Sequence, residues 1–404
     1  MNKWIKLKYV ATSFSTAQKQ SDVLENGEYK VYGASGLVGY LDTFGADTPY
    51  IGIVKDGAGV GRTNIYNAYT SLLGTMAYIV PRNPDNTNLH FLQYAISALN
   101  LGETAGDKAT IPHIYFSVYG NKYILHVPVD TQKKIATYLN QKCDKVNSLI
   151  QNVQTQIEKL KAYKQSLVTE VVTKGLNPTV PMKDSGVDWI GEVPEHWQIT
   201  RLKHLYDTSS GSPVRVGPFG SALPSSELTD EGLWVYNQRT VIDQNFSTNN
   251  TFVSPEKASE LTSFSVYPKD ILITTRGSIG KTAIVPNNAP KGILHPCVIR
   301  FRIADDKMDR VLLSLIFNET NICQGQIMDM SNSTTIEVLY SYSLKEIWIP
   351  CPPTYEQVEI LQQVKKIIQN FARLIAIKQA KIEKLEQYKR SLIYEYVTGK
   401  KEVV

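Results

Sequence analysis

The chain has 404 residues, 42% of them hydrophobic, a formal net charge of +5 and four cysteines. It is too long for one ordinary core and apolar enough to fill two or three, so several globular domains are expected. Cys143, Cys297, Cys323 and Cys351 stand far apart with no CxxC pair, which argues against a disulfide framework or zinc finger and fits a reducing cytoplasm. The opening Met1-Asn-Lys-Trp-Ile-Lys-Leu-Lys-Tyr9 lacks the apolar core of a signal peptide, and no run approaches the ~18 apolar residues of a membrane span. A soluble cytoplasmic chain is expected.

Residues 1–129 read as a first globule of short strands and glycine turns. Tyr50-Ile-Gly-Ile-Val-Lys55 is a strand-like run that stops at Asp56-Gly57-Ala58-Gly59-Val60-Gly61 and resumes near Thr63-Asn-Ile-Tyr66. Leu89 to Leu99 carries apolar residues at helical spacing, which predicts a helix packed on that sheet.

Residues 130–175 change in kind. Ile135, Leu139, Cys143, Val146, Ile150, Val153, Ile157, Leu160, Leu167 and Val171 form a heptad stripe interrupted by Lys164. The segment returns: shifted by 225 positions, residues 130–173 align with 355–398 without a gap, with 16 of 44 positions identical. Ile157-Glu-Lys-Leu-Lys-Ala-Tyr-Lys-Gln-Ser-Leu167 reappears as Ile382-Glu-Lys-Leu-Glu-Gln-Tyr-Lys-Arg-Ser-Leu392. The second stripe runs Ile360, Val364, Ile368, Phe371, Ile375, Ile382, Leu385, Leu392, Tyr396, broken by Lys378 and Lys389. Each copy ends in Glu-x-Val-Thr close to a glycine, a helix stop. Such a helix would be about 66 Å long.

Neither helix can bury its seam alone. Antiparallel pairing within the chain, through Ile150, Ile157, Leu160 and Leu167 with Ile375, Ile382, Leu385 and Leu392, is the preferred geometry; a coiled coil with another chain is the alternative. The two segments are basic, with 7 Lys+Arg against 4 Asp+Glu in 130–173 and 8 against 5 in 355–398, whereas 174–354 holds 16 against 19. Lys159, Lys161, Lys164, Lys384 and Lys389 are expected on a solvated face, with phosphate contact the alternative.

Residues 176–196 form a Gly/Pro-punctuated connector containing Asp184-Ser-Gly-Val-Asp-Trp189. A second globule, 197–353, then echoes the first: Asp270-Ile-Leu-Ile-Thr-Thr-Arg276 and Gly277-Ser-Ile-Gly280-Lys281 match the first strand and glycine turn at a shift near 220, and Met308 to Asn318 matches the helix. The C-terminal helix occupies 354–400. The fold expected is α+β, two globules joined by two long helices in a pseudo-twofold antiparallel coiled coil.

Several catalytic motifs fail. Gly277-Ser-Ile-Gly-Lys-Thr282 lacks the first glycine of a phosphate loop, since Thr275 stands there, and strand-like Ala283-Ile-Val285 follows it. Gly57 to Gly61 leads into no helix that could bind a dinucleotide. Cys351-Pro-Pro-Thr-Tyr355 has no amide or carboxylate to hold a target amino group and reads as a strand-to-helix corner. The six histidines form no close metal pair. The chain reads as a reader or scaffold without catalytic, cofactor or metal residues.

What remains is cations, aromatics and amides beside tight turns. In the first globule these are Lys30, Tyr32, Ser35, Lys55 and Arg62. In the second they are Arg215, Phe219, Ser221, Asn237, Gln238, Arg239, Arg276, Ser278 and Lys281. Arginine can pair with guanine edges and Asn or Gln with adenine edges, while glycines let the backbone approach phosphates; ordinary solvated loop residues are the alternative for each.

The layout resembles the specificity subunit of Type I restriction-modification enzymes over nearly the full chain. The resemblance is carried by Trp189-Ile-Gly-Glu-Val-Pro-Glu-His-Trp197 with Arg201-Leu-Lys203, Gly217-Pro-Phe-Gly-Ser221, Asp270-Ile-Leu with Arg276-Gly-Ser-Ile-Gly-Lys281, Pro352-Pro353 with Glu356-Gln357, and both Ile-Glu-Lys-Leu segments. It implies two target-recognition domains reading the halves of a bipartite double-stranded DNA site. The helices would set the spacer and dock two modification (methyltransferase) subunits, with restriction/translocase subunits joining for phage defence. S-adenosylmethionine, ATP and Mg would belong to those partners, with no active site in this chain and no membrane involved. The first globule departs from the pattern: it has no Gly-Pro-Phe-Gly-Ser, and its helix entry, Val127-Pro128-Val-Asp-Thr-Gln132, lacks the double proline and the glutamate. The two globules should therefore read different half-sites. A coiled-coil adaptor without DNA specificity is the alternative function.

Overall fold

The structure is a computed structural model describing residues 3–57, 59–102, 112–209, 211–248, 251–330 and 338–403. Met1, Asn2 and Ala58 lie outside these. The chain divides into two compact units, Met1–Thr155 with Lys378–Val404 and Gln156–Ile377.

The first unit is built on a four-stranded antiparallel sheet in the order Ala11–Ser15, Met76–Pro81, Tyr50–Val54, Thr63–Tyr66. Side chains alternate across it, as the two-residue period of a strand demands. Ile51, Ile53, Ala77 and Ile79 enter a core with Phe91, Leu92 and Ile96 of the helix Leu89–Ser97. Tyr50, Val54, Met76 and Tyr78 face the other way. There a second sheet runs Gly36–Leu41, Tyr29–Gly33, Ser71–Leu72, its last pair parallel. Lys3–Lys6 pairs with Tyr123–His126, which feeds the first long helix, Val129–Lys174.

The second unit repeats the plan. Its four-stranded sheet runs Val214–Val216, Val298–Phe301, Ile271–Thr274, Thr282–Ile284, with Ile271, Ile273, Ile299 and Phe301 in one core with the helix Arg310–Glu319. A five-stranded sheet holds the parallel pair Leu233–Tyr236 and Gly292–Leu294, matching the parallel pair of the first unit. Gln198–Arg201 pairs with Trp348–Cys351, which leads through two prolines into the second long helix, Thr354–Val397. Buried Trp197 donates Nε1–H to Glu356 Oε2 at 2.9 Å and thereby fastens that helix start to the beginning of the globule. Both glycine turns are hairpins: Gly61 N–H donates to Val54 O at 2.9 Å and Gly280 N–H to Thr274 O at 3.0 Å, and a strand follows each, so neither opens a phosphate-binding helix.

Each long helix stops at a glycine with φ +72, Gly175 and Gly399, a left-handed conformation that costs glycine no Cβ clash. In the first unit Tyr138 packs on Tyr396 with ring centroids 4.7 Å apart, and in the second Tyr163 meets Phe371 edge-on at 5.6 Å. Of the expected pairing residues, Ile157, Ile382 and Leu392 are buried, while Ile150, Leu160, Leu167, Ile375 and Leu385 are half-buried.

The stripe itself needs one correction. Beyond Lys164 it is Val168 and Val172, rather than Leu167 and Val171, that are fully buried, beside Ile190, Val193 and Trp197. A straight α-helix drifts by ~20° per heptad from a 3.5-residue repeat, so a seam that meets a globule moves by a residue. The solvated-lysine expectation also changes: Lys164 Nζ lies 2.6 Å from Glu319 of the second globule, and Lys389 Nζ donates to Asn147 Oδ1 at 2.7 Å. Lys159 and Lys384 are exposed, and Lys161 pairs with its own helix neighbour Glu158.

Candidate nucleic-acid interface

In each unit the loops that carry the sequence candidates converge on one edge of the sheets. In the second unit three backbone bonds gather them. Thr275 N–H donates to Cys297 O at 3.1 Å, His295 N–H to Tyr236 O at 3.2 Å, and Gly217 N–H to Val298 O at 2.9 Å. The segment 217–222, the helix start at Asn237, the turn 275–281 and the loop 295–297 thus share a border. Gly217 is glycine because a Cβ there would sit 2.1 Å from the carbonyl oxygen of His295.

The first unit makes the equivalent contacts with other residues. Lys55 N–H donates to Thr75 O at 3.0 Å, Leu73 N–H to Tyr32 O at 2.9 Å and Gly74 N–H to Gln18 O at 2.8 Å. Arg62 then ties two turns together, donating from Nη2 to Ala34 O at 3.2 Å and from Nε to Gly59 O at 3.4 Å. Tyr32, Ser35, Lys55 and Arg62 therefore lie in one neighbourhood. Ser35, Lys30 and Arg62 are exposed, Lys55 is half-buried, and the Tyr32 ring packs on Tyr66 at 4.7 Å. Beside the hairpin, a groove of about 830 Å³ is lined by Arg62, Asn64, Gln93, Asn147, Lys389 and Arg390 among others.

The second unit sorts its candidates into two sets. Phe219 is 87% exposed on a tight turn whose carbonyl accepts from Ala222 N–H at 2.8 Å, while Leu223 just beyond is buried. Ser221, Arg276 and Ser278 are exposed, and Gln238 is half-buried at the first position of the helix Gln238–Asp243. Arg239 is exposed and reaches Asp243 at 3.2 Å. The other three have framework partners. Arg215 Nε donates to Ser263 O at 3.0 Å and its guanidinium lies over Phe264. Asn237 caps its helix, accepting from Thr240 N–H at 3.0 Å and donating to Thr251 Oγ1 at 3.0 Å. Lys281 Nζ reaches Asn318 O at 3.4 Å, at the end of the helix Arg310–Glu319.

Sequence reasoning missed two members of these edges. Asp56 holds the place in the first unit that Arg276 holds in the second: each forms a lone backbone bridge, with His113 and with Val338. Asp56 Oδ1 also meets His113 Nδ1 at 2.7 Å. The edges thus differ in charge at one position. Glycine-turn alignment alone could have paired these two residues. His295 is the second: its Nδ1 accepts from Cys297 N–H at 3.1 Å, and burial pushes its pKa below the usual histidine range, so the ring is neutral with its proton on Nε2. No local motif marks it.

Residues 219–387 match the family model described as Type I restriction modification DNA specificity domain. The Type I restriction enzyme MjaVIII specificity subunit of Methanocaldococcus jannaschii is 25% identical over 336 residues, covering 81% of this chain and 74% of that protein. The Type I restriction enzyme EcoBI specificity subunit of Escherichia coli is 22% identical over 313 residues, covering 75% of this chain and 64% of that protein. A chain from a solved structure concerned with assembly and conformational transition of the type I R-M system has the same fold, with a TM-score of 0.63 over 98% of both chains at 15% identity. Residues 219–387 thus match a Type I restriction-modification DNA specificity domain, and the chain is similar to the specificity subunits of such systems over three-quarters or more of its length.

Proposed function

We propose that each unit reads one half of a bipartite double-stranded DNA site, and that the two long helices pair antiparallel to set the spacer between the halves. The observation that carries this is one sheet plan built twice, with corresponding loop edges that differ in charge and side chains. Opposed numbering supports the antiparallel pairing: Tyr138 meets Tyr396 while Tyr163 meets Phe371. In this reading Phe219, Ser221, Gln238, Arg239, Arg276 and Ser278 face one half-site and Lys30, Tyr32, Ser35, Lys55 and Arg62 the other. Arg215, Asn237 and Lys281 hold the frame. The helices dock two modification subunits, and a restriction subunit joins them. S-adenosylmethionine, ATP and magnesium act on those partners, in the cytoplasm. Among the described residues no helix is long and apolar enough to cross a membrane.

The test is co-purification with the cognate modification subunit. Adenine methylation at a single bipartite motif is expected only when both are present, and methylation by this chain alone would sink the reading. Salt-sensitive preference for that duplex over scrambled DNA separates it from a scaffold role.

A further inference from the structure

We propose that Gln132 and Gln357 are positioning residues for spacer selection, each locking one long helix to the reader it leaves. This rests on the reading above, in which the helices set the spacing. The two glutamines occupy the same place in the 225-residue repeat and are 0% and 2% exposed. Each primary amide makes three bonds to backbone, two donated and one accepted. Gln132 Oε1 accepts from Asn88 N–H at 2.8 Å, and its Nε2 donates to Asn86 O at 3.0 Å and Val127 O at 2.8 Å. Gln357 Oε1 accepts from Asp309 N–H at 2.7 Å, and its Nε2 donates to Lys307 O at 3.0 Å and Pro352 O at 2.8 Å.

The partners correspond one for one. Asn88 caps the helix Leu89–Ser97, accepting from Phe91 N–H at 3.0 Å, and Asp309 caps Arg310–Glu319, accepting from Val311 and Leu312 N–H at 2.8 and 2.9 Å. The second partner is a carbonyl just before that cap, and the third is a carbonyl at the corner where a strand becomes the long helix. One planar group therefore joins the reader's helix, the corner and the first turn of the long helix.

Only a neutral side chain with two donors and one acceptor at that reach fits the place. Glutamate would press a carboxylate on two carbonyls, and an apolar chain would take away the partners of one backbone N–H and of two carbonyls, of which Lys307 O would keep only the Cys351 thiol. Apolar contacts can slide, whereas three directional bonds to backbone cannot. The leverage is large: a tilt of about 3° at one end of a ~66 Å helix moves its far end by about 3.4 Å, one base-pair step.

The experiment maps methylated adenines in host DNA from cells expressing the chain with its modification partner. Gln132→Met and Gln357→Met keep the side-chain shape and remove the bonds. Unchanged half-site sequences are expected, with methylation at motifs one base pair too long or short rising about tenfold over the parent chain. Gln132→Asn and Gln357→Asn, one methylene too short for three partners, replace them if the Met variants do not accumulate, with the same expectation. Ile273→Val loosens the core without touching either latch and should leave spacer choice alone. Unchanged spacer tolerance in the glutamine variants, or equal relaxation in Ile273→Val, overturns the proposal. A heptad inserted after Gln154 serves as the reference. If it moves the spacer and the glutamine variants do not, the latch alone fails; if it moves nothing, the ruler fails and the latch with it.

Discussion

Toward its helix, the sheet of the first unit presents Ile51, Ile53, Ala77 and Ile79, and that of the second presents Ile271, Ile273, Ile299 and Phe301. On the opposite face the two part company. The first unit stacks tyrosines there: Tyr50 lies 4.7 Å from Tyr78, its hydroxyl bonded to Thr70 at 2.8 Å, and Tyr78 OH accepts Leu72 N–H at 2.8 Å. The second unit places a 1% exposed carboxylate, Asp270, against Arg302 Nε at 2.5 Å and Arg300 Nη1 at 3.4 Å, with both guanidiniums over Tyr267. The helix-facing pattern persists because both sheets must bury against a helix of the same kind. The other face and the loop edge answer only to their own unit, which is where the two repeats of one plan can come to differ.

That contrast can be broken most severely at Asp270. Asp270→Asn leaves the buried guanidinium of Arg300 without its counter-charge and should lower unfolding stability by about 3–5 kcal/mol. Tyr78→Phe, in the corresponding face of the first unit, removes one hydrogen bond and should cost about 1 kcal/mol. Denaturant unfolding of the full chain compares them, and equal losses would mean that the ion cluster is no more demanding than the tyrosines.

The loop edges come next. Arg276→Ala is expected to weaken recognition of one half-site by about 1–3 kcal/mol, with Asp56→Asn altering only the other half-site. Competition binding with duplexes mutated in one half at a time reads this out. Uniform loss across all sequences would reassign Arg276 to a phosphate.

A smaller, pH-limited effect belongs to His295. Burial lowers its pKa in the folded chain, so the unfolded chain takes up the proton first on acidification. The stability it contributes is whole above about pH 6.5 and is lost as pH falls through the folded value. His295→Gln should flatten that slope in thermal melts between neutral and mildly acid pH; an unchanged slope would assign the proton uptake elsewhere. Smallest of all, Lys164→Ala should cost about 0.2–1 kcal/mol, because its ion pair with Glu319 is partly exposed.

Much of the local structure was legible in the sequence because it is set by periodicity and by backbone rules. Heptad spacing marked the long helices, apolar alternation and glycines marked the strand, turn, strand units, and the repeat at 225 residues tied the halves together. The site was legible only as a set of turns. Asn237 is held locally, as the cap of its own helix, but that Arg215 and Lys281 are taken up by the frame depends on neighbours 48 and 37 positions away in sequence.

The buried stripe at Val168 and Val172, the charge cluster at Asp270 and the glutamine latches were decided by tertiary structure. A helix seam shows in the order of residues, since it repeats along one chain. Which polar group of the chain finds its partners can depend on segments brought together from 40 to 160 positions away, as Gln132 with Asn88 and Trp197 with Glu356 illustrate. Hydrogen-bond satisfaction is a property of that meeting, and no spacing along the chain records it.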